Sequence, residues 1–93
     1  MPRCSHLGTI ELTELPAQIA GCEDCLQIGG RWVHLRMCTA CGHIACCVDS
    51  PNRHATAHVR ATEHPIIRSA EPGEDWFYCY FDDSQVFPAG RNA

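Results

Sequence analysis

The stretch CTACGHIACCVDSPNRHATAHVRATEH, Cys38 to His64, decides how this chain is read, because it gathers four of the eight cysteines and four of the six histidines. Its order is Cys38-x2-Cys41-x4-Cys46 and then His54-x3-His58-x5-His64, a thiolate knuckle followed by a histidine-bearing segment. Sulfur and imidazole at such spacings are the donor set of zinc. Upstream, Cys22-Glu23-Asp24-Cys25 forms another Cys-x2-Cys pair, and such a pair becomes a strong signal once a second one answers it.

Working outward, the 93 residues make one domain, since a second core would leave each half too small to bury enough apolar surface. A core of this size supplies only about 3 to 5 kcal/mol. A structural zinc contributes roughly 10 to 16 kcal/mol of apparent binding free energy that is also folding free energy. If metal binds, metal decides whether the chain folds. Disulfides are the competing use of so many cysteines. The start, MPRCSHLGTIELTEL, has no apolar run after a basic head and no small-residue cleavage site, and no run of about 20 apolar residues occurs anywhere. The expectation is a cytoplasmic protein with no membrane span, where cysteine pairs bind metal more often than they bridge. The net charge is −4, and five ligating thiolates with two zinc ions would shift it by only about one further negative charge. That balance argues against nucleic acid as a partner.

Along the chain, Pro16 breaks a loosely apolar opening, and Gly29-Gly30 marks a turn. Arg31 to Met37 alternates, with Trp32, His34 and Arg36 on one face and Val33, Leu35 and Met37 on the other, as a half-buried strand does. Ser50 reads as an N-cap and Pro51 as the first helical residue, with a helix over Asn52 to Ala61 that His64-Pro65 closes. His54 and His58 share a face of that helix and could reach one ion or two, so spacing leaves the pairing open. Pro65 to Ser69 is an apolar strand, Glu71-Pro72-Gly73 a turn, and Trp76 to Phe81 a second alternating strand. Its pattern puts Trp76, Tyr78 and Tyr80 on one side and Phe77, Cys79 and Phe81 on the buried side. The tail from Ser84 to Ala93 is expected to be flexible, leaving residues 1–83 as the domain.

These motifs together resemble the UBP-type zinc finger of ubiquitin-specific proteases, a cytoplasmic histone deacetylase and some ubiquitin ligases. The resemblance runs from Cys4 to about Asp83 on Gly21-Cys22-x2-Cys25, Trp32-Val33, Cys38-x2-Cys41-Gly42-x3-Cys46, His54-Ala55-x2-His58, Thr62-x-His64-Pro65 and the aromatic segment ending in Tyr80. The phrase Glu71 to Trp76, EPGEDW, is similar to that of stand-alone, bacterial-like members. The resemblance implies an α+β fold, a small antiparallel sheet with one or two short helices cross-braced by structural zinc. It implies one zinc on Cys22, Cys25, Cys46 and His54 and a second on Cys38, Cys41, His58 and His64. Three-zinc members add a site built from an N-terminal Cys-x-His and two later cysteines. Here that set would be Cys4, His6, Cys79 and, in place of the last cysteine, Asp82.

Many members bind the free carboxyl terminus of ubiquitin beside the zinc, which the resemblance places on Trp32, Tyr78 and Tyr80. The arginine that grips the carboxylate follows a Cys-Gly pair in those members, whereas this chain has Cys46-Cys47-Val48. A buried carboxylate without a charged partner costs several kcal/mol, so Arg36 is the candidate to reach in, or the partner is another protein terminus or peptide. The function expected is a monomeric, non-catalytic protein-interaction domain. A zinc deaminase wants His-x-Glu and a metalloprotease His-Glu-x-x-His, and the histidines here are followed by Ala-Thr, Val-Arg and Pro-Ile. A thiol-redox or metal-responsive protein using Cys47 is the alternative.

Overall fold

The turn carrying Cys38 and Cys41 folds the chain back on itself. Leu35–Cys38 (β1) and Ile44–Cys46 (β2) pair antiparallel, with Leu35 opposite Cys46 and Met37 opposite Ile44. The Cys38 N–H donates to His43 O at 2.9 Å and the Gly42 N–H to Cys38 O at 2.8 Å, which closes the knuckle with backbone bonds. This computed structural model describes residues 7–47 and 50–86. Within them, Ile66–Ser69 (β3) flanks β1 on its other side, followed by Phe77–Cys79 (β4) and Ser84–Val86 (β5). The result is one antiparallel sheet in the order β2-β1-β3-β4-β5, with helices Glu23–Ile28 (α1) and His54–Thr62 (α2). The fold is therefore the expected zinc-braced α+β architecture.

Two apolar clusters hold the sheet. The larger contains Cys22, Cys25, Leu35, Met37, Ile44, Ala45, Cys46, Ala55 and Ala70, with Leu15, Ile19 and Trp32 packed against it. The smaller joins Ile66, Phe77, Cys79 and Val86 to Ile10. Cysteines stand where larger aliphatic residues would otherwise fill the core, so the apolar contribution is small and the ligands themselves form much of the interior. Buried Arg68 ties the periphery down by donating to three backbone carbonyls: Ser69 at 2.8 Å, Thr13 at 2.7 Å and Glu74 at 3.0 Å. Among the described residues no helix is long and apolar enough to cross a membrane.

Four local expectations are corrected. Ser50 does not cap a helix: its Oγ accepts the Val33 N–H at 2.8 Å, and α2 begins at His54, whose N–H donates to Cys46 Sγ at 3.1 Å. A ligand sulfur takes over the role expected of a serine. Val33, expected to face inward, is 52% exposed, and the strand starts only at Leu35, because the Val33 N–H is bonded to Ser50 and not to a ladder. Phe81 is likewise 52% exposed, since β4 ends at Cys79 and the chain turns before Phe81 can follow the alternation. Of the tail expected to be loose, Ser84–Val86 forms β5, where Val86 sits opposite Phe77 and closes the smaller cluster, and residues 87–93 lie outside the described residues.

Gly21 shows why a residue ahead of the first ligand matters. At φ +148° it lets the Trp32 ring lie directly on its backbone, and a Cβ there would meet the ring at 2.5 Å. Gly21→Ala should destabilise the zinc-loaded protein by about 1 to 3 kcal/mol, seen as a lower melting temperature. An unchanged melting temperature would show that the ring can move aside.

Candidate metal centres

Three elements converge on the first cluster. Cys22 precedes α1 and Cys25 lies within it, Cys46 ends β2, and His54 opens α2. Helix α1 forms here because Cys22 Sγ accepts the Cys25 N–H at 3.3 Å as an N-cap and Gly29 closes the helix in the left-handed conformation. His54 Nδ1 stands 3.3 Å from the sulfurs of Cys22 and Cys25 and 3.5 Å from that of Cys46, while the Cys25 and Cys46 sulfurs are 3.9 Å apart. A tetrahedral zinc with bonds of about 2.3 Å to sulfur and 2.0 to 2.1 Å to nitrogen requires edges of about 3.8 Å and 3.6 Å. The spacing fits those edges and is far from the ~2.05 Å of a disulfide. Described cysteines are all free thiols.

The second cluster joins Cys38 and Cys41 from the β1–β2 turn to His58 on α2 and His64 just after it. Cys38 Sγ lies 3.5 Å from His64 Nδ1, and Cys41 Sγ lies 3.4 Å from His58 Nε2. In both groups the four ligand atoms fall within 4.8 Å of one another, so each can hold a zinc ion. His54 and His58 resolve the pairing that spacing left open: they serve different groups, one through Nδ1 and the other through Nε2.

Around these ligands lies a set of supporting groups. Every sulfur of the first cluster accepts an N–H: Cys22 from Cys25, Cys46 from His54, and Cys25 from Asn52 Nδ2 at 3.7 Å. Such donors favour the thiolate. His43 stacks on His58 with ring centroids 4.7 Å apart and planes 9° apart. Its Nε2 lies 2.7 Å from Asp24 and its Nδ1 3.3 Å from Glu23, the two residues between the first pair of cysteines. Glu23 also accepts the Ile44 N–H at 3.0 Å.

Without a cation these groups resist charge. Burial pushes the Cys22 thiol up to about 12 and also raises that of Cys38. Burial, followed by the neighbouring His43 and His64, lowers the His58 value, which keeps that imidazole neutral with a lone pair free to ligate. The chemistry of the donor set therefore calls for a divalent ion, whose charge makes the thiolates acceptable in the interior.

With this geometry in view, comparison with known proteins is direct. Residues 22–90 match the family described as Zn-finger in ubiquitin-hydrolases and other protein. The chain belongs to this zinc-finger family. The solution NMR structure of protein RPA1320 from Rhodopseudomonas palustris is similar at 47% identity and a TM-score of 0.79, over 98% of this chain and 87% of that one. No curated protein matches.

All eight cysteines and histidines expected in the two zinc groups are brought together as expected. Of the third set, Cys4 and His6 lie outside the described residues, Cys79 is fully buried in the smaller cluster, and Asp82 is exposed. For the residues expected at a peptide surface, Tyr78 and Tyr80 meet edge-on at 5.5 Å, and Arg36 lies 4.5 Å over the Trp76 ring. Strand register puts Arg36 and Tyr78 on the same face of the sheet, through the pairs Arg36–Ser69 and Ile67–Tyr78. Trp32 is half-buried against the larger cluster. Sequence reasoning missed His43, Asn52 and the Glu23-Asp24 pair as supports. His43 and the acidic pair sit inside the two cysteine knuckles, which was the only signal available, and nothing in the sequence marked Asn52.

Because each ligand thiol gives up its proton to bind metal, affinity should rise with pH. The slope corresponds to about three protons per ion at the first group and about two at the second, the numbers of cysteines in each. Chelator competition across the neutral range measures it, and a pH-independent affinity would contradict the thiolate assignment. By the same assay Asn52→Ala should weaken the first group about tenfold or more, and Asn52→Asp further still, since a carboxylate would then face Cys25.

Proposed function

We propose that this chain is a zinc-held, non-catalytic protein-interaction domain that receives a protein or peptide terminus on the surface of Trp32, Arg36, Tyr78 and Tyr80. The observation that carries this reading is closure: each group offers four protein ligands to a tetrahedral ion, leaving no coordination position for a substrate. Family membership supports the same reading. Residues with an apolar body and a polar tip suit a half-wet recognition surface, and Trp32, Tyr78 and Tyr80 are all half-buried. The partner is a polypeptide and not a nucleic acid, in keeping with the net charge of −4. The free thiols suit a reducing compartment, so the domain acts in the cytoplasm, as a monomer. Cys47, on which a thiol-redox reading would rest, is buried at 2% exposure, where oxidants reach it poorly.

Calorimetry of the zinc-loaded protein with peptides ending in Gly-Gly tests the proposal. Wild type should give measurable heat that Trp32→Ala or Tyr78→Ala reduces by about tenfold or more. Absence of heat with wild type, or indifference to both substitutions, would remove the aromatic surface as a recognition site. Elemental analysis should return two zinc ions from the groups described above.

A further inference from the structure

The two metal groups draw on the same donor types but differ in exposure. In the first, Cys22, Cys25 and Cys46 are each 0% exposed, so solvent does not reach their sulfurs in the folded domain. In the second, Cys38 is buried, whereas Cys41, in the β1–β2 turn, is open to solvent. Among the described residues no other cysteine is exposed.

Hydrogen bonding separates the sulfurs in the same sense. Each sulfur of the first group accepts an N–H, and Cys38 Sγ accepts those of Ala40 and Cys41. Donors that favour a thiolate lower its basicity, and nucleophilicity falls with basicity. Among the described residues no N–H is bonded to Cys41 Sγ, whose neighbour is the ligating His58 Nε2 at 3.4 Å. Cys41 is thus the one ligand sulfur that is both reachable and without a donor of this kind. Its resolving partner stands beside it. The Cys38 and Cys41 sulfurs belong to a set of ligand atoms within 4.8 Å of one another, so closing to the ~2.05 Å of a disulfide moves the exposed turn and no strand.

We propose that Cys41 is an oxidation site, at which a peroxide converts Cys38 and Cys41 into a reversible disulfide and empties the second metal group ahead of the first. With hydrogen peroxide the Cys41 thiolate attacks one oxygen and the O–O bond breaks. The departing hydroxide takes a proton from solvent and leaves as water, and Cys41 becomes a sulfenic acid. The Cys38 thiolate then attacks the Cys41 sulfur. The S–S bond forms, the S–O bond breaks, and a second hydroxide is protonated to water. Two electrons pass from the sulfurs to the peroxide. Only His58 and His64 remain as donors, half of a tetrahedral set, so the ion is released. Helix α2 keeps its attachment through His54 and loses the one through His58. A dithiol reductant with zinc reverses the step.

The test exposes the zinc-loaded full chain to hydrogen peroxide beside a colorimetric chelator too weak to strip the ions unaided. The reaction is stopped by alkylation early in zinc release, and fragment mass spectrometry reads which cysteines were protected. Cys38 and Cys41 should be joined while Cys22, Cys25 and Cys46 are still alkylated, with oxidation of the first pair about tenfold or more faster. Dithiothreitol and zinc should restore the starting metal content. Cys41→His keeps four ligands and replaces the exposed sulfur with an imidazole, so the fast release should disappear, whereas Cys47→Ser should leave it unchanged. Earlier or equal modification of Cys22, Cys25 or Cys46, absence of release with peroxide, or fast release persisting in zinc-loaded Cys41→His overturns the proposal. Should Cys41→His fail to take up a second ion, the cysteine map of the wild type decides alone.

Discussion

Three buried sulfurs and an imidazole nitrogen meeting at one point cannot all carry their ligating form unless a cation lies among them. The rest of this structure depends on that constraint. The upward displacement of the Cys22 thiol expresses it: in the folded interior the proton stays on until a metal replaces it. The residues that satisfy the constraint come from α1, β2 and α2 in the first group, and from the β1–β2 turn and α2 in the second. Helix α2 belongs to both. A helix of nine residues would not hold alone in water, and here its two histidines fix it to opposite ends of the β1–β2 hairpin.

The same dependence explains which parts of the fold were legible in the sequence. Cysteine knuckles and histidine spacing are local patterns with few alternative uses, so they point to zinc at once, and the alternating segments around Met37 and Tyr78 locate strands. Pairing of the ligands was not readable from spacing, because His54 and His58 share a helix face. It follows only from which ring nitrogen faces which cluster, and that is a property of the assembled fold. Resemblance to the family supplied the pairing where the residues alone did not.

The misreadings at Ser50 and Val33 share one cause: backbone donors found partners that local propensity does not anticipate. Ser50 looked like a helix cap, but the exposed Val33 N–H claimed its hydroxyl and a cysteine sulfur capped the helix instead. Phe81 continues an alternation that the chain abandons after Cys79. Val86 belongs to a short strand whose only signal, two apolar residues, Val86 and Phe87, between a polar pair and Pro88, is too weak to separate from a loose end. At the candidate recognition surface the aromatic residues were visible in sequence.

His43 joins the two metal groups, resting on a ligand of one and held by the acidic residues between two ligands of the other. Through it, an ion that orders the first cysteine pair also orders the ring beneath His58. Thermodynamic linkage makes that effect reciprocal: any free energy by which occupancy of one centre favours the other is returned in equal measure. A favourable coupling of this kind makes singly occupied molecules scarcer than independent sites would give.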